Sequence, residues 1–528
     1  MGIEKEEYIK KIAKEILYGI KNGKIASKED IHRIKKYFGK KYCLSRLPTN
    51  SEILSHIKTK DERVIKLLRK KPVRTISGVA VVAVMSSPYP CPHGRCLPCP
   101  GGPPFSSQSY TGKEPAAMRA IMHGYDPFTQ TKKRIEQLQA IGHSVDKVEM
   151  IVMGGTFTSR DFFYQEWFVK RCYDALNGED SESLQKAMEK NEKTRHRCIG
   201  LTIETRPDWC RLSHVDKILS FGATRVELGV QILDDRVLYA IQRGHGVSDI
   251  ADATRICKDA GLKVCYHIMP GLPHSTIKND MDSFKMIFSD ERFKPDMIKI
   301  YPTLVVKPSL LHEEWKKGKY APLSSEEAIS LIAEMKKYVP PWVRIQRIER
   351  DIPAPLIEGG IKKSNLRQLV LKKMKENGWR CRCIRCREVG HRAYKDKIFP
   401  EKIELVKRKY KASGGKEIFI SMEDKKNDIL IGYLRLRFPF ASHRAEIGKK
   451  DAIIRELKVS GISLPLKKEP GEEWQHRGYG KKLIEEAEKI AEKEGCEKLL
   501  VLSGVGVKEY YRSLGYKKDG VYMSKQLC

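Results

Sequence analysis

The stretch VAVVAVMSSPYPCPHGRCLPCPGGPP, residues 79–104, joins two signals. Its first part, 79–87, is a β-branched apolar run of the kind that forms a strand covered on both faces. The run breaks into a Pro/Gly loop in which Cys91, Cys96 and Cys99 follow C-x4-C-x2-C spacing. Three thiolates from one loop can hold three irons of a [4Fe-4S] cubane and leave the fourth open. An open iron can be chelated by the amino and carboxylate groups of an amino acid, which is what reductive cleavage of S-adenosylmethionine requires. A zinc loop with His93 as fourth ligand uses the same donors. The position of the loop directly after a first strand favours the cluster.

Further along the chain the same type of run recurs, alternating with helical stretches: VEMIVMGG (148–155), CIGLTIETRP (198–207), RVELGVQ (225–231), KVCYHIMPG (263–271) and MIKIYPTL (297–304). Six β/α units predict a partial (β/α)6 barrel of TIM type, with a doubly wound open sheet as the alternative. The runs end in groups a core would not choose: Gly154 and Gly155, Glu204 and Arg206, Gln231, Tyr301. Strand C-terminal ends are where α/β barrels build their sites. Gly154 and Gly155 free backbone to approach the methionine amino group. Glu204 can accept from ribose or amine, and Gln231 can bond the ribose. Arg206 can pair with the ligand carboxylate or with Glu204 itself.

From about 416 the pattern becomes a smaller α/β unit, with KEIFISME, DILIGYLRLRF and AIIRELKVS as antiparallel strands. Gln475, His476, Arg477, Gly478, Tyr479 and Gly480 then open an amphipathic helix. A glycine-bracketed helix start can cradle a pyrophosphate on its free N–H groups and dipole. The Q-x-x-G-x-G pattern resembles the acetyl-CoA signature of the GNAT acetyltransferases. In that family a tyrosine at the Tyr511 position stands near the thioester sulfur and protonates the leaving thiolate; Tyr510 is its nearest rival.

Between the two units, WRCRCIRCREVGH (379–391) places Cys381, Cys383 and Cys386 at C-x-C-x2-C spacing. His391, or a ligand from elsewhere, would complete a structural zinc site. Five interleaved arginines, Arg380, Arg382, Arg385, Arg387 and Arg392, are read as presented to phosphate. The formal charge of +33 on 528 residues points to a polyanionic partner. Basic residues concentrate at 1–75 (21 Lys+Arg against 9 Asp+Glu) and 360–411 (18 against 5). Ser27 heads a capped helix within 1–75, a segment that reads as wholly helical. No apolar run suits a membrane span or secretory signal, so a cytoplasmic protein is expected. The expected organisation is a basic helical region at 1–75, the barrel at 76–340, a Cys-containing basic linker at 341–415 and the tail unit at 416–528.

Both signatures in this order resemble the catalytic subunit of Elongator in its archaeal form. The matching stretches are CPHGRCLPCPGG, QSYTGKEPAAMRA (108–120), MGGTF (153–157), LTIETRPDWC (201–210), MPGLP (269–273), RDIPAPLIEGGIKKSNLR (350–367) and HRGYG. The resemblance implies tRNA modification at C5 of the wobble uridine, with acetyl-CoA as carbon source and carboxymethyluridine as product. It also implies that the basic segments hold the anticodon stem-loop and that Tyr301, or Lys299 on the same strand, contacts the substrate. C5 of uridine is a poor nucleophile, which explains why a radical-generating domain accompanies an acyl-CoA domain. The partners expected are tRNA and acetyl-CoA, with no membrane; a homodimer is left open. The alternatives are a protein lysine acetyltransferase with a structural barrel, an RNA-binding scaffold without catalysis, and a radical methylthio-transferase, which would not need the QHRGYG helix.

Overall fold

The computed structural model of the protein describes residues 2–44, 46–57, 59, 61–70, 75, 77–460 and 478–527. Four helices come first: α1 (Gly2–Lys21), α2 (Lys28–Lys41), α3 (Asn50–Ile57) and α4 (Glu62–Leu68). Ile12, Ile16, Ile31, Ile53, Val64 and Leu68 form a small core of their own. Ser27 caps α2 reciprocally: the Asp30 N–H donates to Ser27 Oγ (3.1 Å) and the Ser27 N–H donates to the Asp30 carboxylate (2.9 Å). Arg69 ties this bundle to the barrel by donating to the Gly142 carbonyl at 2.7 Å.

A parallel sheet carries the next part of the chain: β1 (Ala80–Met85), β2 (Lys147–Met153), β3 (Arg197–Thr205), β4 (Ala223–Gln231), β5 (Lys263–Ile268), β6 (Met297–Ile300) and β7 (Arg344–Ile348). The strands neighbour one another in chain order, so the sheet curls into an open half-barrel with helices outside. The six expected strands are present. The seventh, RIQRI, lies in the stretch expected to be linker. Only two of its five residues are apolar, which hides it from a search for continuous apolar runs.

The tail sheet contains β8 (Glu404–Ala412), β9 (Gly415–Asp424), β10 (Ile429–Phe438), β11 (Asp451–Val459), β12 (Lys498–Val501), β13 (Lys517–Asp519) and β14 (Tyr522–Gln526), in spatial order β8-β9-β10-β11-β12-β14-β13. Its first strand also precedes the expected start at 416. All pairs are antiparallel except β11 with β12, which pair only over Asp451–Ile454 against Lys498–Val501. Beyond Ile454 the two strands part, and the sheet opens as a V. Among the described residues no helix is long and apolar enough to cross a membrane.

Buried charge joins the two sheets. Lys258, Asp259 and Asp296 of the barrel meet Glu417, Arg435, Arg437 and Arg455 of the tail, every one of them at most 1% exposed. Arg455 forks onto Asp296 (2.6 and 2.8 Å) and reaches Glu417 (2.7 Å). Arg437 bonds Asp259 (Nε, 2.9 Å) and Glu417 (3.0 Å), while Lys258 bonds Glu417 (3.1 Å). Arg435 completes the set through Glu456 at 2.8 Å.

Removing one member should leave uncompensated buried charge. Arg455→Met is expected to lower unfolding free energy by about 3–5 kcal/mol, read from denaturant unfolding. Burial works against the Glu417 charge, but Arg455, Lys258 and Arg437 outweigh it and bring its pKa down to about 2. A depressed carboxylate contributes stability above its unfolded value, about 4.3. Thermal stability should therefore hold above about pH 5 and fall as pH drops toward 2; a profile flat down to pH 3 would contradict this.

Candidate functional site

The cluster loop hangs over the C-terminal mouth of the barrel. Cys96 and Cys99 are buried and Cys91 is half-buried. Cys91 Sγ lies 3.5 Å from Thr156 Oγ1, and Cys99 Sγ accepts from Gln108 Nε2 at 3.2 Å. His93 is sandwiched: Nδ1 faces Arg206 Nη1 at 2.6 Å and Nε2 faces Cys96 Sγ at 3.0 Å. A guanidinium can only donate, so Nδ1 accepts and the proton sits on Nε2, aimed at the Cys96 sulfur. Burial, then Arg206 and Arg243, press the His93 pKa down to about 3, so the ring is neutral at ordinary pH. Arg243 also donates to Cys96 Sγ, at 3.4 Å.

One tetrahedral zinc would gather its sulfurs to about 3.8 Å from each other. Two triads of potential ligands converge within 4.8 Å among the described residues, and Cys91/Cys96/Cys99 is not one of them. His93, moreover, already has both nitrogens engaged. The wider spread of sulfurs suits a multi-iron cluster, with His93 and Arg243 as donors to a cluster-bound sulfur.

The strand-end residues gather around this loop. Gly154 (φ 138°) and Gly155 (φ 82°) adopt conformations that only glycine takes readily. A Cβ on Gly154 would lie 2.0 Å from Ser86 Oγ, and one on Gly155 would lie 3.0 Å from the Gln108 carbonyl. Their small size thus serves the seating of the cluster-side loop as well as any ligand. Gln231 holds φ 71°, and its amide Oε1 is buried without a hydrogen-bond partner. Strain together with an orphaned acceptor marks a ligand-facing group.

Arg206 departs from expectation. It does not pair with Glu204: its guanidinium forks onto Asp208 (3.0 and 2.8 Å) and donates to His93 and to the Arg243 carbonyl (2.7 Å). One of its five N–H groups is left, too few for a bidentate carboxylate clamp. Glu204 instead accepts from Tyr110 Oη at 2.7 Å and faces Lys299 Nζ at 3.6 Å.

Below the mouth, Lys299 contacts Glu227, whose other neighbours are His267 Nε2 (2.9 Å) and Arg225 (3.5 Å). Burial opposes the Glu227 charge, but Lys299, His267 and Arg225 hold it well below the carboxylate range. The Lys299 charge is likewise opposed by burial and raised by Glu227. Tyr301 packs edge-on against the His267 ring at 5.4 Å. Sequence reading missed Tyr110, Glu227, His267 and Arg243. Glu227 had a signal: it shares strand parity with Gln231, so both point to the same side of β4.

A cavity of about 880 Å³ runs from this loop through the barrel interior to the tail domain. Cys91, Cys96, Cys99, Glu204, Gln231, Lys299 and Tyr301 line one part, and Arg455–Lys458, Leu502–Gly504 and Tyr511 another. The open V between β11 and β12 thus faces the barrel floor. Tyr511 is 5% exposed and reaches the cavity, whereas Tyr510 is 40% exposed and turns its hydroxyl toward the helix start, where a Cβ on Gly480 would lie 2.8 Å from it. Gly478, at φ 77°, is the N-cap of the helix Tyr479–Lys493. Gln475, His476 and Arg477 lie outside the described residues.

The third cysteine cluster is a converged triad: Cys381, Cys383 and Cys386 place their sulfurs within 4.8 Å of one another. His391 does not join them. Its Nε2 faces Glu388 at 3.8 Å and the ring lines the cavity. The nitrogen nearest the thiols is Lys336 Nζ, fully buried, 3.1 Å from Cys381 Sγ. The arginines are also not a uniform phosphate-facing set. Arg387 is buried against Glu423 and Asp428, Arg385 lines the cavity, and Arg392 pairs with Asp396, leaving Arg380 and Arg382 exposed.

Four family models match successive parts of the chain. Residues 5–76 match the ELP3 N-terminal domain, 89–287 the Radical SAM superfamily, 295–376 the Radical_SAM C-terminal domain and 387–516 the Acetyltransferase (GNAT) family. The chain is 52% identical to the tRNA uridine(34) acetyltransferase of Methanocaldococcus infernus, over 99% of this chain and 100% of that one. It is 44% identical to human Elongator complex protein 3, over 94% and 93% respectively. Among solved structures, the archaeal Elp3 of Methanocaldococcus infernus lacking residues 1–46 is similar at TM-score 0.78 and 50% identity, over 86% of this chain and 100% of that one.

The crowding at Gly480 yields a test. Gly480→Val pushes the Tyr510 hydroxyl aside and blocks the helix start, and is expected to weaken acetyl-CoA binding about tenfold or more, a loss of at least about 1.4 kcal/mol. Calorimetric titration with acetyl-CoA checks this; unchanged affinity would dissociate the helix start from the thioester.

Proposed function

Since the chain belongs to the Elongator complex protein 3 family, an enzyme family that joins Radical SAM and GNAT domains, we propose that it modifies C5 of the wobble uridine of tRNA, taking the added carbon unit from acetyl-CoA and giving carboxymethyluridine. The observation that carries this reading is the single cavity that opens on Cys96 and Cys99 at one end and on Tyr511 at the other. A barrel kept only as a scaffold for a lysine acetyltransferase has no need of such a cavity.

Cys91, Cys96 and Cys99 hold the iron–sulfur cluster, and the His93 and Arg243 hydrogen bonds stabilise charge on Cys96. Bound together, the cluster and S-adenosylmethionine supply a radical able to take hydrogen from an unactivated C–H bond. Gln231, with its unpaired acceptor, and Glu204 bind the nucleoside part of that cofactor. Lys299 and Tyr301 sit on the wall between the cofactor and the deeper cavity and orient the base or the acyl carbonyl. At the other end Gly478 and Gly480 leave the helix N–H groups open to a pyrophosphate, and Lys481 and Lys482 in the first turn add positive charge. Burial pushes the Tyr511 pKa up, so the phenol keeps its proton and can deliver it to a leaving thiolate.

Lys36, Lys40 and Lys41, exposed on α2, and Arg380 and Arg382 carry the anticodon stem-loop. Cys381, Cys383 and Cys386 hold a structural zinc, with the buried Lys336 ammonium offsetting thiolate charge.

The experiment is anaerobic reconstitution of the full chain with iron and sulfide, then incubation with tRNA, S-adenosylmethionine, acetyl-CoA and a reductant. Wild type should yield 5′-deoxyadenosine and carboxymethyluridine by mass spectrometry. Cys96→Ala and Cys99→Ala should yield neither, while tRNA affinity stays within about twofold. Product from either variant would defeat the cluster assignment.

A further inference from the structure

Closed α/β barrels fill their interior with layers of branched apolar side chains. This one does not. Arg225, Glu227, Lys263, Lys299, Arg344 and Gln346 line the cavity from strands β4 to β7. Burying so many polar groups beside open volume is costly unless something polar occupies it.

The floor is unevenly charged. Arg225 pairs with Glu149 and Arg344 with Glu388. Lys263 and Arg385 line the same floor, and among the described residues neither has a carboxylate oxygen within the 4.0 Å of an ion pair. Burial pulls the Lys263 pKa down. Each cation therefore sits where a small anion would be stabilising. Beside them, Ser503 Oγ and His391 Nδ1 are buried, line the cavity and lack hydrogen-bond partners. At the opposite end, Gln231 Oε1 is in the same condition. Between the two ends, Ala83 of β1 and its register partner Ile151 of β2 both line the cavity.

We propose that the barrel lumen is a conduit for a small carboxylate, entered at the floor beside Lys263 and Arg385 and leading to the cluster end past Ala83 and Ile151. The inference rests on the proposed function, in which acetyl-CoA is consumed in the tail domain. There, water adds to the thioester carbonyl, the C–S bond breaks, coenzyme A leaves as the thiol, and acetate and a proton remain; no electrons are exchanged. The carboxylate then passes along the cavity from Lys263 toward Lys299, whose own partners are Glu227 and Glu204.

Ala83→Phe and Ile151→Trp add bulk to the lumen from two paired strands, at mid-strand positions away from Cys96 and Tyr511. In the reconstituted reaction, three products are followed: 5′-deoxyadenosine, free coenzyme A and modified uridine. The first two should stay within about twofold of wild type, while modified uridine falls at least about tenfold. Lys263→Gln removes the charge without adding bulk, so it tests the same idea if the bulky variants fold poorly. It should lower modified uridine about tenfold at unchanged melting temperature and unchanged coenzyme A release. Modified uridine tracking the other two products in a folded Ala83→Phe or Ile151→Trp variant, or unaffected by Lys263→Gln, would overturn the conduit. Wild-type enzyme making no modified uridine from acetyl-CoA would instead overturn the parent reading.

Discussion

The arrangement depends on a cluster of charges almost wholly withdrawn from water. Lys258, Arg435, Arg437 and Arg455 face Asp259, Asp296, Glu417 and Glu456 across the seam between the barrel floor and the tail sheet. Four cations meet four anions, so the seam is neutral as a whole and intolerant of any single loss. Such a network contributes little by attraction alone, because desolvation offsets much of the Coulomb gain. What it fixes is register: only one docking of the two sheets satisfies all the partners at once. That docking sets the V of β11 and β12 beneath the lumen instead of against solvent.

The same trade between burial and pairing governs the site. Glu227 is fully buried yet charged because Lys299, His267 and Arg225 converge on it. Arg206 is given over to Asp208, His93 and a backbone carbonyl, and through His93 it directs a proton at Cys96. The barrel interior thus combines paired charges with the unpaired Lys263 and Arg385 and with polar atoms that lack a partner, Gln231 Oε1, Ser503 Oγ and His391 Nδ1 among them. These three atoms line one cavity, which reaches from the cysteine loop to the tail sheet.

Much of this was legible in the chain. The six apolar runs between residues 79 and 304 marked six parallel strands because a strand covered on both faces admits few polar residues. The spacing of Cys91, Cys96 and Cys99 and the glycines at 478 and 480 named two kinds of ligand, since cluster binding and pyrophosphate binding are met by local backbone and nearby side chains. The strand at Arg344–Ile348 escaped notice because it faces a polar lumen, where the apolar criterion does not apply. His391 and Arg385 were misplaced for a related reason. Proximity in sequence to Cys386 suggested zinc and phosphate, whereas the turn around Cys383–Glu388 sends both toward the cavity.

The sequence by itself determined the two domains, the parallel character of the first sheet, the cysteine loop and the helix start, because each rests on contacts within a few tens of residues. Only the tertiary structure decided which groups meet: Glu204 with Tyr110, Arg206 with Asp208 and His93, Tyr511 and not Tyr510 with the cavity, and the lumen as the link between the ends. Those pairings join segments far apart along the chain, and their selection comes from burial. Once a charge is removed from water it must find an opposite charge or a hydrogen-bond partner, and which one it finds is fixed by the docking of whole sheets, a property no local stretch of residues encodes.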